Sequence, residues 1–370
     1  ATALLALSAC TKVTPVEEPE QEISFKVVNY VNATKADAQN HLEYTGTFGV
    51  FAYANTDAWA TADNPTANVY MNNVQISKTN DGWKASSPYF WPKQAKLTFA
   101  AYSPYKESAP TFAKATGFTF TNYEIPLTAD EDLMVADVQA DLTGNVTTSE
   151  TADAVGGYHF ATGVPILFHH LLTSLQFKFQ QAPYNNANVN ETSSKITVTK
   201  VELVNFIGKK TYTNEAWATN SNSTCGDVTY TVYDAGQGAS TEIAKKSASN
   251  PTQLGNDDIM IMPQTLVNKA ENSTTSSYQL LRVTYNISTV YNHGTEDTND
   301  DTTLLESGIV SVVPFYYAGS GENNEGEIIE FKKNQKIVYT VTIVPYAQDE
   351  IFFDPAVKNW DESTGTLTVE

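Results

Sequence analysis

Apolar side chains recur at every second position along most of this chain. In "ISFKV" they are Ile23, Phe25 and Val27, and in "KLTFAAY" they are Leu97, Phe99 and Ala101. "SLQFKFQ" repeats the pattern with Leu175, Phe177 and Phe179. "LLRVTYNIS" sets Leu281, Val283, Tyr285 and Ile287 against Arg282, Thr284 and Asn286, and "KIVYTVTIV" aligns Ile337, Tyr339, Val341 and Ile343. Successive side chains of a strand point to opposite faces, so runs of this kind, rich in β-branched and aromatic residues, predict half-buried strands.

Helical spacing is nearly absent; only "FHHLLTSL", Phe168 to Leu175, predicts a turn or two of helix. Between the strands lie polar clusters such as "KTNDGW", "TNSNSTCGD" and "GTEDTNDDTT". Their Asn, Asp and Gly residues favour turns, because the side chains bond local backbone or accept left-handed conformations. Many short strands punctuated in this way predict an all-β fold of stacked sandwiches. A chain of 370 residues carries a prior of two domains. The division is expected near Gly163, between "SETADAVGGYHFATG" and the strand "VPILF".

The first residues break the pattern. "ATALLALSA" has no charge, ends at Cys10, and gives way to the acidic, proline-containing "TPVEEPEQE". A spanning helix needs about 20 apolar residues, so this run reads instead as the end of a secretory signal. "LSAC", Leu7 to Cys10, resembles a bacterial lipobox, whose cysteine is acylated and becomes the first mature residue. With no initiating Met or basic segment, residues 1–10 are expected to be a truncated lipoprotein signal, and residues 11–22 a disordered tether. An acylated cysteine anchors at roughly 0.8 kcal/mol per buried methylene. The membrane contact expected is this lipid alone. Once Cys10 carries lipid, it and Cys225 cannot form an intrachain disulfide.

Composition then excludes several functions. The net charge is −20, from 42 acidic and 22 basic side chains, and would repel a phosphate backbone. Arg282 is the one arginine, which further disfavours bidentate phosphate recognition. No nucleic-acid partner is expected. Neither is an enzyme: there is no G-x-S-x-G elbow, no H-E-x-x-H and no phosphate-cradling glycine loop. His169 and His170 are adjacent and would face opposite sides of a strand, a poor chelating geometry. The acidic runs at Asp130 to Asp132 and Glu296 to Asp301 lack EF-hand spacing, so no metal or other cofactor is expected. Twenty tyrosines leave room for a face that binds a host glycan or protein.

The order of these pieces resembles the fimbrillin family, the FimA/Mfa-like subunits of type V pili. The lipobox, the spacer and "ISFKVVNYV" come first, then "FGVFAYA" and "SPYFWPKQAKLTFAAYSP". "DLMVA", "VPILFHHLLTSLQFKF" and "IFFDPAVKNWDE" follow. The resemblance implies two tandem transthyretin-like β-sandwich domains, here residues 23–163 and 164–370. It also implies a mechanism: an exported outer-membrane lipoprotein loses its first strand to a trypsin-like protease at the cell surface. A strand from another pilus subunit then fills the groove, by donor-strand exchange. The strand plugging the groove would carry Ile23, Phe25 and Val27. The processing site would be Lys35 in "NATKADA", where relatives carry arginine; an Arg-specific protease would not cut there. Donor-strand candidates are Leu367 and Val369 in the C-terminal "TGTLTVE", with "EIFFDPAV" a further segment; both could equally complete their own domain's sheet. The alternative reading is a monomeric surface lipoprotein that binds host glycan or protein.

Overall fold

The computed structural model describes residues 21–28, 46–143, 163–182, 191–220, 225–246, 251–267, 278–291, 296–315, 330–345 and 351–359. Every regular element among them is a strand, as the period-two pattern requires. The first ten are β1 (Phe25–Val28), β2 (Phe48–Asn55), β3 (Val69–Thr79), β4 (Gly82–Ala85), β5 (Lys96–Ser103), β6 (Thr111–Ala113), β7 (Gly117–Glu124), β8 (Met134–Ala136), β9 (Gln139–Leu142) and β10 (Val164–His170).

Seven of these pair in a circuit. β2 bonds β3, β3 bonds β4, β4 bonds β1, and β1 bonds β10; β10 then bonds β8, β8 bonds β5, and β5 returns to β2. Around this circuit each strand has a neighbour on both sides, which removes the open edges that make sheets sticky. A first core joins Ile23, Phe25, Phe48, Trp83, Phe99 and Ile166, all buried.

β2 and β5 are buried on both faces, where alternation alone predicted one. Phe48, Val50, Leu97 and Phe99 enter the first core, while Phe51, Tyr53, Ala100 and Tyr102 join a second. The reason is a further layer. β6 and β7 pair with β13 (Lys209–Thr213) and β14 (Ala216–Trp217) from the later part of the chain. Phe118 and Phe120 of β7 lie against Tyr102, with ring centroids 5.6 and 5.8 Å away. The two halves of the sequence therefore share this sheet.

The helical turns expected at Phe168 to Leu175 do not form. β10 runs to His170, Leu171 and Leu172 are buried in a break, and β11 (Thr173–Gln181) begins immediately after. Extended pairing to β8 on one side, and to the second sandwich on the other, outweighs a weak local helical spacing. β10 itself, which follows Gly163, pairs within the first sheet, so the chain passes to the second core at Leu171 and Leu172.

The remainder forms two facing sheets and one short two-stranded pair. β12 (Glu191–Phe206) follows β11; after β13 and β14 come β15 (Val228–Asp234) and five short strands. These are β16 (Thr241–Glu242), β17 (Ala244–Lys245), β18 (Thr252–Gln253), β19 (Ile259–Ile261) and β20 (Gln264–Thr265). The last are β21 (Gln279–Tyr291), β22 (Thr302–Phe315), β23 (Glu330–Phe331), β24 (Gln335–Ile343) and β25 (Ile351–Asn359). The short pair is β20 with β23. One sheet runs β17-β11-β24-β25 and the other β15-β12-β21-β22. Leu175, Phe177, Ile337 and Tyr339 of the former meet Val198, Leu203, Val283 and Tyr285 of the latter in one core. Phe177 and Tyr339 are partners across β11 and β24, stacked at 5.6 Å and 11°, a cross-strand pair of the kind that specifies register.

Candidate assembly site: the first strand in its cleft

Residues 21 to 28 lie between two otherwise separate walls. Before the strand proper, the Trp91 N–H donates to Gln21 O (3.0 Å) and the Ile23 N–H donates to Tyr89 O (2.7 Å). Glu22 forms a bridge with Phe90, and its carboxylate accepts from Lys84 Nζ at 2.9 Å. That hydrogen bond raises the Lys84 pKa from its ordinary value. β1 then pairs parallel with β10, from Phe25 opposite Val164 to Val28 opposite Leu167. Its contact with β4 is a single register pair, Phe25 opposite Trp83. Among the described residues, β1 is what joins β4 to β10 in the circuit.

Alternation decides which side chains enter. Ile23 and Phe25 are 3% and 2% exposed, Val27 packs half-buried against the same core, and Lys26 between them is exposed. Phe25 presents its ring edge-on to Phe48 at 6.0 Å and to Phe99 at 5.7 Å. Fully burying an apolar side chain is worth about 1.5–3 kcal/mol, so Ile23 and Phe25 together hold the strand with roughly 3–6 kcal/mol. The parallel ladder adds less per residue than an antiparallel one.

Two residues that complete the cleft were not assigned to it from sequence. Trp83 sits opposite Phe25 and 5.6 Å from Phe48. Gly163 has φ +84°, and a Cβ there would lie 2.7 Å from the Phe25 carbonyl carbon. The backbone of β1 passes where any other residue's side chain would stand. A glycine directly before "VPILF" was the visible signal, but only the pairing of β1 to β10 reveals what it accommodates.

Other sequence candidates resolve into separate, local contacts. His169 Nε2 is 3.1 Å from Asp137 Oδ1 and His170 Nδ1 is 2.7 Å from Asp132 Oδ2, on opposite sides of β10. Within the acidic run, Asp130 accepts from Thr128 Oγ1 at 2.6 Å, while Glu131 accepts from the Tyr123 hydroxyl and from Lys106. These carboxylates diverge, and among the described residues no group of three His, Cys, Asp or Glu is placed to hold a metal. Asp297 is taken by Asn299, whose N–H and side-chain amide both donate to it. Cys225 is half-buried beside Val267, Tyr278 and Leu280, and burial pushes its thiol up, away from the reactive thiolate.

At the other end of the chain, "IFFDPAV" belongs to β25, paired with β24 from Ile343 opposite Ile351 to Gln335 opposite Asn359. Among the described residues it is the outer strand of its sheet, a position that tolerates Pro355, which has no N–H to give a further ladder. Cys10, Lys35, Leu367 and Val369 lie outside the described residues.

Comparison with known proteins adds a family. The sequence profile of the fimbrillin-like family matches residues 34–360. The fimbrium subunit Fim1C of Phocaeicola vulgatus is 30% identical over 162 residues, 42% of this chain. The match spans 41% of that relative's length. Among solved structures, a fimbrial protein from Bacteroides vulgatus superimposes with a TM-score of 0.52 at 21% identity, over 92% of this chain and 99% of that one. At that identity the likeness concerns the fold.

Proposed function

The chain belongs to the fimbrillin-like family, and from that premise we propose that it is a structural and adhesive subunit of a cell-surface pilus, polymerised by donor-strand exchange. In this reading Cys10 carries the lipid of an outer-membrane precursor. A trypsin-like protease cuts after Lys35 and releases the segment that contains β1. The cleft between β4 and β10 then stands open, with two unpaired strand edges and an uncovered first core.

The observation that supports this reading most is the position of β1 as the link between β4 and β10. A strand in the middle of a sheet leaves two unpaired edges and an apolar floor when it goes. Such a cleft takes an extended strand of alternating apolar side chains, with backbone bonds for affinity and pockets for selectivity. Leu367 and Val369 have the same two-residue spacing as Ile23 and Phe25, so a neighbour's tail would return the burial that β1 gave up. Because release of β1 costs roughly 3–6 kcal/mol in those two side chains alone, exchange is favoured only when such a donor is at hand. That makes cleavage a switch from inert monomer to polymerising subunit.

Incubating the purified precursor with trypsin tests the proposal. The expected result is a new N-terminus at Ala36, together with a ladder of stable polymers on gel filtration and native gels. A chain clipped at that bond but still monomeric across the concentrations tested would overturn it. Removing residues 364–370 should leave clipping intact and abolish the ladder.

A further inference from the structure

A groove runs between two hairpin tips, one from each half of the sequence. On one side is the β6–β7 turn around Lys114 to Gly117; on the other is the two-residue turn of the β13–β14 hairpin, Asn214 and Glu215. Two adjoining cavities of about 320 and 330 Å³ share Phe112, Gly117, Val138 and Glu215 as common lining. We propose that this groove is a binding site for a neutral oligosaccharide, a reading that stands apart from donor-strand exchange.

Three observations carry it. First, the groove has an aromatic wall. Trp59 and Phe112 line it, near-parallel at 6.4 Å and 25°, and buried Tyr53 backs both from the core, with centroids 5.8 and 5.9 Å away. Trp59 and Phe112 are half-buried and face the groove, and the Trp59 backbone is fixed by Asp141 Oδ1 at 2.8 Å. Rigid aromatic side chains at a groove wall supply apolar contact for the C–H groups of a pyranose while adding little conformational entropy.

Second, Glu215 is strained into position. Its φ is +59°, next to Asn214 at +51°. A two-residue turn with both φ values positive prefers Asn-Gly, so a glutamate in the second place costs stability. Its backbone carbonyl accepts from Lys333 Nζ at 2.7 Å, and its Cγ would lie 4.0 Å from a Cβ on Gly117, across the groove. Glu215 thereby lines both cavities.

Third, the polar groups suit hydroxyls rather than anions. Asp137 and Glu215 line the groove and are exposed acceptors. The nearby cations are already engaged: Lys114 donates to Ala60 O at 2.7 Å, and Lys333 donates to Glu215 O and sits 5.7 Å from the Tyr212 ring centre. Apolar walls with a few convergent polar groups are the general form of a small-ligand site. With a net charge of −20, sialylated or sulfated chains would be repelled.

The test is an array of neutral and acidic oligosaccharides probed with the unclipped, fluorescently labelled chain, so that failure to polymerise leaves the readout untouched. The expected result is retention of neutral sugars only. Trp59→Ala and Glu215→Gly should each weaken binding at least tenfold. Glu215→Gly should at the same time leave Tm unchanged or raised, since glycine relieves the turn. No retained sugar, retention of acidic sugars alone, or a Glu215→Gly variant that binds like wild type would overturn the proposal.

Discussion

A methyl group at Gly163 would stand 2.7 Å from the carbonyl carbon of Phe25 and 2.9 Å from its nitrogen. The start of β10 is therefore shaped around the backbone of β1. Val164 confirms the intimacy, its N–H donating to Ser24 O at 2.8 Å.

Gly163→Ala should accordingly loosen β1 before it harms anything else. The φ of +84° and the contact with Phe25 both oppose a Cβ, and strain of this kind costs about 1–3 kcal/mol. Hydrogen exchange at the Val164 amide should accelerate, while amides of β21 and β24 stay protected. Uniform acceleration across the chain would show that Gly163 serves the whole fold rather than the seat of the strand.

Phe25→Ala should cost about 3–5 kcal/mol by emptying the space between Phe48 and Phe99. Lys26→Ala, one position along on the exposed face, should stay within about 0.5 kcal/mol of wild type. Urea denaturation of the unclipped chain measures both. Equal effects would mean that the alternation of β1 carries no energetic weight.

Lys210 should make the protein more stable as pH rises from about 8. Its ammonium donates to Pro263 O at 2.6 Å and Asn220 Oδ1 at 3.0 Å, but burial brings its pKa down to about 8. Between that value and the ordinary 10.5, the unfolded chain holds a proton that the folded one has released, so stability increases with pH. Tyr53, Tyr212 and Tyr230, pushed up to about 12 by burial, oppose this only above pH 10. Wild type measured against Lys210→Met from pH 7.5 to 9.5 should gain relative stability; a flat difference would refute the assignment.

Glu202 gives the opposite sign at the acid end. Burial disfavours its charge, but hydrogen bonds from Arg282 Nε (2.8 Å) and Lys200 Nζ (2.9 Å) outweigh that and hold its pKa below the ordinary value. The stability it lends is present above pH 4.5 and is lost as pH falls through its lower folded value. Compared with Glu202→Gln, wild type should therefore lose its advantage on acidification, in a series of melts from pH 6 to pH 3. An advantage that persists at pH 3 would assign the effect to shape rather than charge.

Period two at Ile23–Val27, Leu281–Ile287 and Ile337–Ile343 determined by itself that these segments are strands and which residues face a core, because side-chain direction along a strand is a local property. Tertiary structure decided the rest. "KLTFAAY" reads as half-buried, yet both faces of β5 are covered, since the layer over Tyr102 comes partly from residues 209–217, more than a hundred positions away. "FHHLLTSL" carries a weak helical spacing that long-range pairing overrides. The seat of β1 between Trp83 and Gly163, and the groove between Trp59 and Glu215, unite residues distant in sequence. No local pattern encodes which strand will lie beside which; that is set by the closing of the sheets around shared cores.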